Sequence, residues 1–196
     1  MGSNKTLANR FLVLAKLVST KEQANNQRCK CHCLVCCRAT RPDWDEYFIQ
    51  IAQVISTRSK DISSKIGAVL VKDRHVIATG YNGLPIGIND DIPERQQNRF
   101  LKYSFTVHAE MNCLLQAAKL GVATEGTTLY LYAFGPPIIP CTECAKAVIQ
   151  AGITRIVGFA AKKIEEHWVA NFAFSKALLT EAGVAIEECN QEERDP

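Results

Sequence analysis

The sequence predicts a three-layer α/β/α domain, with helices on both faces of a mixed five-stranded sheet. Three observations predict it. Apolar patterns of helical and strand period follow one another in the order α-β-β-α-β-α-β-α-β, which calls for a sheet covered by helices. The first two strand patterns are separated only by Asp73-Arg74. That spacing makes a hairpin, so a sheet whose later strands are joined through helices also holds antiparallel pairing. Finally, 196 residues with 47% apolar and 22% charged side chains suffice for one domain with a sizeable core.

Residues 1–41 read as a basic, Cys-rich, disordered N-terminal extension, and 42–196 as the domain. In the extension Leu7, Phe11, Leu14 and Leu17 have helical spacing. Cys29, Cys31, Cys33, Cys36 and Cys37 cluster around His32. Cys33-x-x-Cys36 has metal-knuckle spacing but no matching distant pair, so the cluster reads as reactive thiols. Pro42 followed by Asp43 opens a helix that runs to about Ser59, with Trp44, Tyr47, Phe48, Ile51, Ala52 and Ile55 on its apolar face. Ile66–Val71 and His75–Thr79 form the hairpin, and a polar loop follows Gly80-Tyr81-Asn82-Gly83 to about Val107.

His108 to Leu120 is a helix with Met111, Leu114, Leu115 and Ala118 inward, stopped by Gly121. Thr127–Ala133 is a strand, and Phe134–Pro140 a proline-rich loop. Cys141–Ala151 is a helix ended by Gly152. Ile153–Phe159 is a buried strand. Glu165–Ala182 is a helix with Trp168, Phe172, Phe174 and Leu178 as core candidates, and Val184–Ile186 is a short last strand.

The chemistry is carried by His108-Ala109-Glu110 and Pro140-Cys141-Thr142-Glu143-Cys144. One imidazole and two thiolates make a three-ligand zinc site with its fourth position open, the catalytic rather than the structural pattern. All three ligands fall at predicted helix N-termini, where the helix dipole stabilises thiolates. A metal so held lowers the pKa of water from about 15.7 towards 7. Glu110 is the non-ligand carboxylate that can carry protons, and the order His-x-Glu…Pro-Cys-x-x-Cys is that of zinc nucleobase deaminases.

Beyond this pattern, several stretches match a family in order. They are Arg58-Ser59-Lys60-Asp61, Ile66-Gly67-Ala68-Val69, Gly80-Tyr81-Asn82-Gly83-Leu84-Pro85-Ile86-Gly87 and Asp90-Asp91. Val107 to Asn112, Glu143-Cys144-Ala145-Lys146 and Ile149-Gln150-Ala151-Gly152-Ile153 continue the match. The domain resembles the deoxycytidylate deaminases, within the cytidine deaminase-like superfamily. The resemblance implies that fold, zinc on His108, Cys141 and Cys144, and Glu110 as proton shuttle in the deamination of dCMP to dUMP, which feeds dTMP synthesis. It also implies substrate or effector contacts by Gly80, Tyr81, Asn82, Gly83 and Ala109, with Asn82 bonded to the sugar. Regulation by dCTP and dTTP and a homohexamer follow from it as well. Three features depart from the family: the long Phe134–Pro140 loop, Cys113 where alanine is usual, and the extension.

The 5′-phosphate needs cations, for which Arg58, Lys60, Lys65, Arg95, Arg99 and Lys102 are candidates. His75 and His167 read as ordinary polar positions. The first forty residues carry seven Lys/Arg against one acid, so a chain total of +3 leaves −3 on the remainder. That balance argues against a polynucleotide partner. No apolar run reaches the roughly 18 residues of a membrane span. Nine cysteines, two of them needed as thiolates, suit a reducing, cytoplasmic setting. Organelle targeting by the basic extension is the alternative. Two other functions stay open on the residues: a zinc deaminase of another nucleoside, base or tRNA adenosine, and an idle nucleotide-sensing homologue.

Overall fold

The computed structural model describes residues 42–133, 138–159 and 164–189. The expectations for residues 1–41, namely disorder, the helical spacing of Leu7 to Leu17, the cysteine cluster and targeting, lie outside them. So does the part of the proline-rich loop at 134–137.

Helix α1, Trp44–Ser56, starts where Pro42 and the acids predict. Asp43 accepts from Glu46 N–H at 2.8 Å and its own N–H donates to Glu46 at 3.2 Å, a reciprocal capping box. Strands β1, Ile66–Lys72, and β2, His75–Tyr81, form the hairpin. Its turn residues Asp73 and Arg74 have φ of 50° and 64°. The Arg74 guanidinium lies over the Trp44 ring, 4.9 Å from its centre.

The predicted loop from Gly83 to Val107 holds two short helices, α2, Glu94–Gln97, and α3, Arg99–Phe105. Asn98 ends the first and caps the second by accepting from Leu101 N–H. At four and seven residues they are too short for an apolar period to show. Then come α4, Ala109–Leu120; β3, Thr128–Ala133; α5, Thr142–Gln150; β4, Arg155–Phe159; α6, Glu166–Glu181; and β5, Ala185–Cys189.

The sheet order is β2-β1-β3-β4-β5. β1 is antiparallel to both neighbours, whereas β3, β4 and β5 are parallel. Hence β2, β3 and β4 all point one way, and the helices that follow them, α4, α5 and α6, begin beyond the same end of the sheet. This is where open α/β sheets bind ligands. One face of the sheet packs Val69, Val71, Tyr130 and Val157 against Phe48, Ile49 and Ala52 of α1. The other packs Ala68, Leu70, Leu129, Leu131 and Ile156 against α4, α5 and Leu179 of α6. Three layers and a mixed five-stranded sheet result, as predicted.

Three helix faces differ from expectation. On α1, Trp44 and Tyr47 are 40% and 44% exposed, while Ile49 is buried. Trp44 stacks on Phe48 at the rim and does not enter the core. On α4 the buried residues are Ala109, Glu110, Cys113 and Ala117, and Leu115 is exposed. The reason is the close approach of α4 to β2. A Cβ on Gly80 would sit 2.3 Å from Ala109 O and 2.4 Å from Cys113 N, so only small side chains fit the seam. On α6 the buried residues are Ser175 and Leu179, with Phe174 67% exposed. Trp168 and Phe172 stack on each other, and Tyr103 of α3 meets Trp168 edge-on. Among the described residues no helix is long and apolar enough to cross a membrane.

Candidate active site

Three backbone features deliver the predicted ligands to one place. His108 is the N-cap of α4, Cys141 the N-cap of α5, and Cys144 lies in the first turn of α5. His108 Nδ1 is 3.3 Å from Cys141 Sγ and 3.5 Å from Cys144 Sγ. All three ligand atoms lie within 4.8 Å of one another. A tetrahedral zinc with bonds of about 2.0–2.3 Å sets nitrogen–sulfur edges near 3.6 Å, so the observed spacing and the donor set both fit zinc.

Glu110 is buried, and its Oε2 has no hydrogen-bond partner among the described residues. An unpaired buried carboxylate oxygen is costly unless a ligand or water uses it. Burial raises its pKa above the usual carboxylate value, against the opposing pull of His108. The three ligand groups also contact one another directly. The hydrogen bond from Cys144, helped by His108, holds Cys141 as a thiolate with its pKa lowered to about 4. The bond to Cys141 raises His108 to about 9. The same Cys141 contact and burial push Cys144 upward. Cys113, buried in the α4 seam, is pushed up by desolvation to about 12 and is an inert thiol.

The Gly80–Gly83 stretch is joined to this centre. Gly80 packs on Ala109 and Cys113, and Tyr81 O accepts from Asn112. Gly83 forms an isolated antiparallel bridge with Val107, next to His108. Ala109 is wholly buried beside Gly80. Asn82 is also buried. Its Oδ1 accepts from Ile66 N–H at 2.8 Å, and its Nδ2 donates to Ser64 O at 2.7 Å and Asp61 at 3.3 Å. Both amide hydrogens are therefore engaged, and one lone pair of Oδ1 remains.

The candidate phosphate cations separate. Arg58, Lys60 and Lys65 line a cleft of about 570 Å³, together with Asp90 and Asp91. Lys60 is paired to both aspartates. Arg95 bonds Asn89 O and covers Phe105, and Arg99 covers Tyr103. Lys102 is tied to Asp61 at 2.8 Å, with both side chains largely buried. His75 and His167 lie outside the metal-ligand group, as expected.

Sequence reasoning missed Asp61 as a hub. It accepts from Ser63, Ser64, Lys102 and Asn82, and so fixes the loop that holds Asn82. It also missed Asn171 and Ser175 of α6, which bond the backbone around Cys141. Asp61 sits inside a quoted motif, whereas Asn171 and Ser175 carry no local signal.

The family described as "Cytidine and deoxycytidylate deaminase zinc-binding region" matches residues 42–160. The chain is 37% identical over 145 residues to deoxycytidylate deaminase of Mus musculus, covering 70% of this chain and 78% of that protein. It is 32% identical over 153 residues to ComE operon protein 2 of Bacillus subtilis, covering 78% and 75%. Among solved structures, dCMP deaminase from the cyanophage S-TIM5 in complex with dCMP and dUMP matches with a TM-score of 0.57 at 25% identity. That match covers 76% of this chain and 99% of that one. Given this match and the His108–Cys141–Cys144 centre beside Glu110, the chain belongs to the cytidine and deoxycytidylate deaminase family and is a hydrolytic, zinc-binding deaminase.

Proposed function

We propose that the enzyme deaminates dCMP to dUMP. The observation that carries this reading is the convergence of His108, Cys141 and Cys144 beside the buried, unpaired Glu110 oxygen. The relatives named deoxycytidylate deaminase and the fold neighbour that holds dCMP and dUMP support the substrate. His108 Nδ1 and the Cys141 and Cys144 thiolates would hold zinc. When bound, zinc supplies Lewis acidity, which brings the ionisation of a water to neutral pH. Glu110 would take one proton from the attacking water and deliver it to N3 of the cytosine ring, where it stays, and would then carry the second water proton to the departing amine. The water oxygen becomes the C4 carbonyl, the C4–N bond breaks, and ammonia leaves. One carboxylate serves both transfers, and burial, which raises its pKa, favours the protonated form it takes between them.

The remaining Oδ1 lone pair of Asn82 is the acceptor offered to the sugar. Arg58 and Lys65 make no ion pair among the described residues and line the 570 Å³ cleft beside the Asn82 loop. That supports a role in binding phosphates of a dCTP or dTTP effector. The product feeds dTMP synthesis. We read residues 42–196 as the catalytic domain, 1–41 as an appendage, the assembly as a homohexamer and the setting as the reducing cytoplasm. Four free cysteines among the described residues support the last reading.

Ammonia release from dCMP, CMP, deoxycytidine and dCTP, each with and without dCTP or dTTP, tests these statements. Turnover of dCMP alone, raised by dCTP and lowered by dTTP, is expected. Turnover of a different compound would move the assignment within the family, and no turnover by zinc-loaded protein would remove it.

A further inference from the structure

Helix α6 has two buried side chains, and one of them is a serine. Ser175 is fully buried, yet its hydroxyl crosses to another element and donates to Pro140 O at 2.7 Å. A helical serine ordinarily bonds back to its own helix or points to water. One turn earlier, Asn171 Oδ1 accepts the N–H of Thr142 at 2.9 Å, and Thr142 Oγ1 donates to Asn171 O at 3.0 Å.

These three bonds bracket a single residue, because Pro140 and Thr142 flank Cys141. Thr142 is the first residue of α5, so its N–H has no partner within its own helix. The residue before a helix commonly serves the first turn's N–H groups with its side chain. Here Asn171 serves Thr142 N–H from a different helix, and the sulfur of Cys141 is left facing His108 and Cys144. We infer that Asn171 and Ser175 are positioning residues for the zinc centre. They fix the backbone on both sides of Cys141, so that its thiolate meets the metal without rearrangement. This rests on the zinc assignment of the same site.

The test measures zinc affinity by chelator competition, at a temperature where each variant is folded. Asn171→Ala and Ser175→Ala are expected to bind zinc about 10- to 100-fold more weakly, the range for partners that orient metal ligands. Asn171→Asp keeps an acceptor for Thr142 N–H and should stay within about threefold of the parent. Phe174→Ala, on the exposed side of the same helix, should be unchanged. Folded alanine variants that match the parent's zinc affinity would overturn the inference while leaving the zinc assignment intact. A parent protein that takes up no zinc would overturn both. If Ser175→Ala does not fold, the Asn171→Ala and Asn171→Asp pair decides alone.

Discussion

At the residue scale, Glu110 is buried beside the three metal ligands with one carboxylate oxygen unpaired among the described residues. A 6% exposed carboxylate with an orphan oxygen is destabilising, so its presence beside three metal ligands points to work on protons. Glu110→Gln is expected to keep zinc, measured as bound metal, and to lose turnover by on the order of 10²–10⁴-fold. Near-parental turnover would remove Glu110 from the mechanism. The proton inventory of the ligands gives a second expectation. At pH 7, with zinc removed by chelation, Cys141 with a pKa of about 4 is a thiolate, whereas His108 at about 9 and the raised Cys144 hold protons. Zinc needs neutral imidazole and two thiolates, so loading should release about two protons. Calorimetry in buffers of different ionisation enthalpy measures that number, and a value near zero would contradict the assignment. This centre was legible in the sequence because its parts are local: two short motifs, each at a helix start. Asn82 was legible only as a motif member, since its partners at Ile66, Ser64 and Asp61 are brought to it by the fold.

At the element scale, the seam between α4 and β2 sets the position of His108. Gly80 touches backbone atoms of Ala109 and Cys113, and those atoms cannot rotate aside. Gly80→Ala should destabilise by about 3 kcal/mol, the upper part of the overpacking range. For a domain of this size that lowers Tm by roughly 6–12 °C, readable by scanning calorimetry. Gly121→Ala meets open space but must hold a φ of +69°, so backbone strain alone should cost about 1 kcal/mol. The order of elements was readable from apolar periodicity, but the faces of α4 and α6 were not. Periodicity ranks large apolar side chains highest, while these helices bury Ala117, Cys113 and Ser175 against close backbone. Helices α2 and α3 were hidden because, at four and seven residues, they are too short to show an apolar period.

At the scale of the whole molecule, two carboxylates link distant segments. Asp61 is desolvated, which opposes its charge, but Lys102 and the Ser64 and Ser63 N–H groups outweigh this and lower its pKa. Arg155 lowers that of Asp45 across the sheet, with N–O distances of 2.9 and 2.7 Å. A depressed folded pKa stabilises above the unfolded value, about 3.9, and that stability is lost as pH falls through the folded value. Unfolding of chelator-treated protein should therefore become easier below about pH 4. Asp61→Asn should flatten that dependence and cost on the order of 3 kcal/mol at neutral pH, because Lys102 is left buried without its partner. An unchanged acid profile in the variant would show that Asp61 is not its source.

The Asp45–Arg155 contact joins residues 110 apart in the chain. A ribosome adding about 5–20 residues per second needs roughly 6–22 s to make that stretch, so the first helix emerges long before its anchor exists. During that interval Phe48, Ile49 and Ala52 have the hairpin and, once it is made, Tyr130 of β3 to pack on. His108 likewise waits for the cysteines that complete its centre, and those wait for Asn171 and Ser175. The catalytic centre is thus among the last parts of the domain to be completed on a growing chain. A nascent protein released before residue 175 would lack the Ser175 bond that holds the backbone beside Cys141.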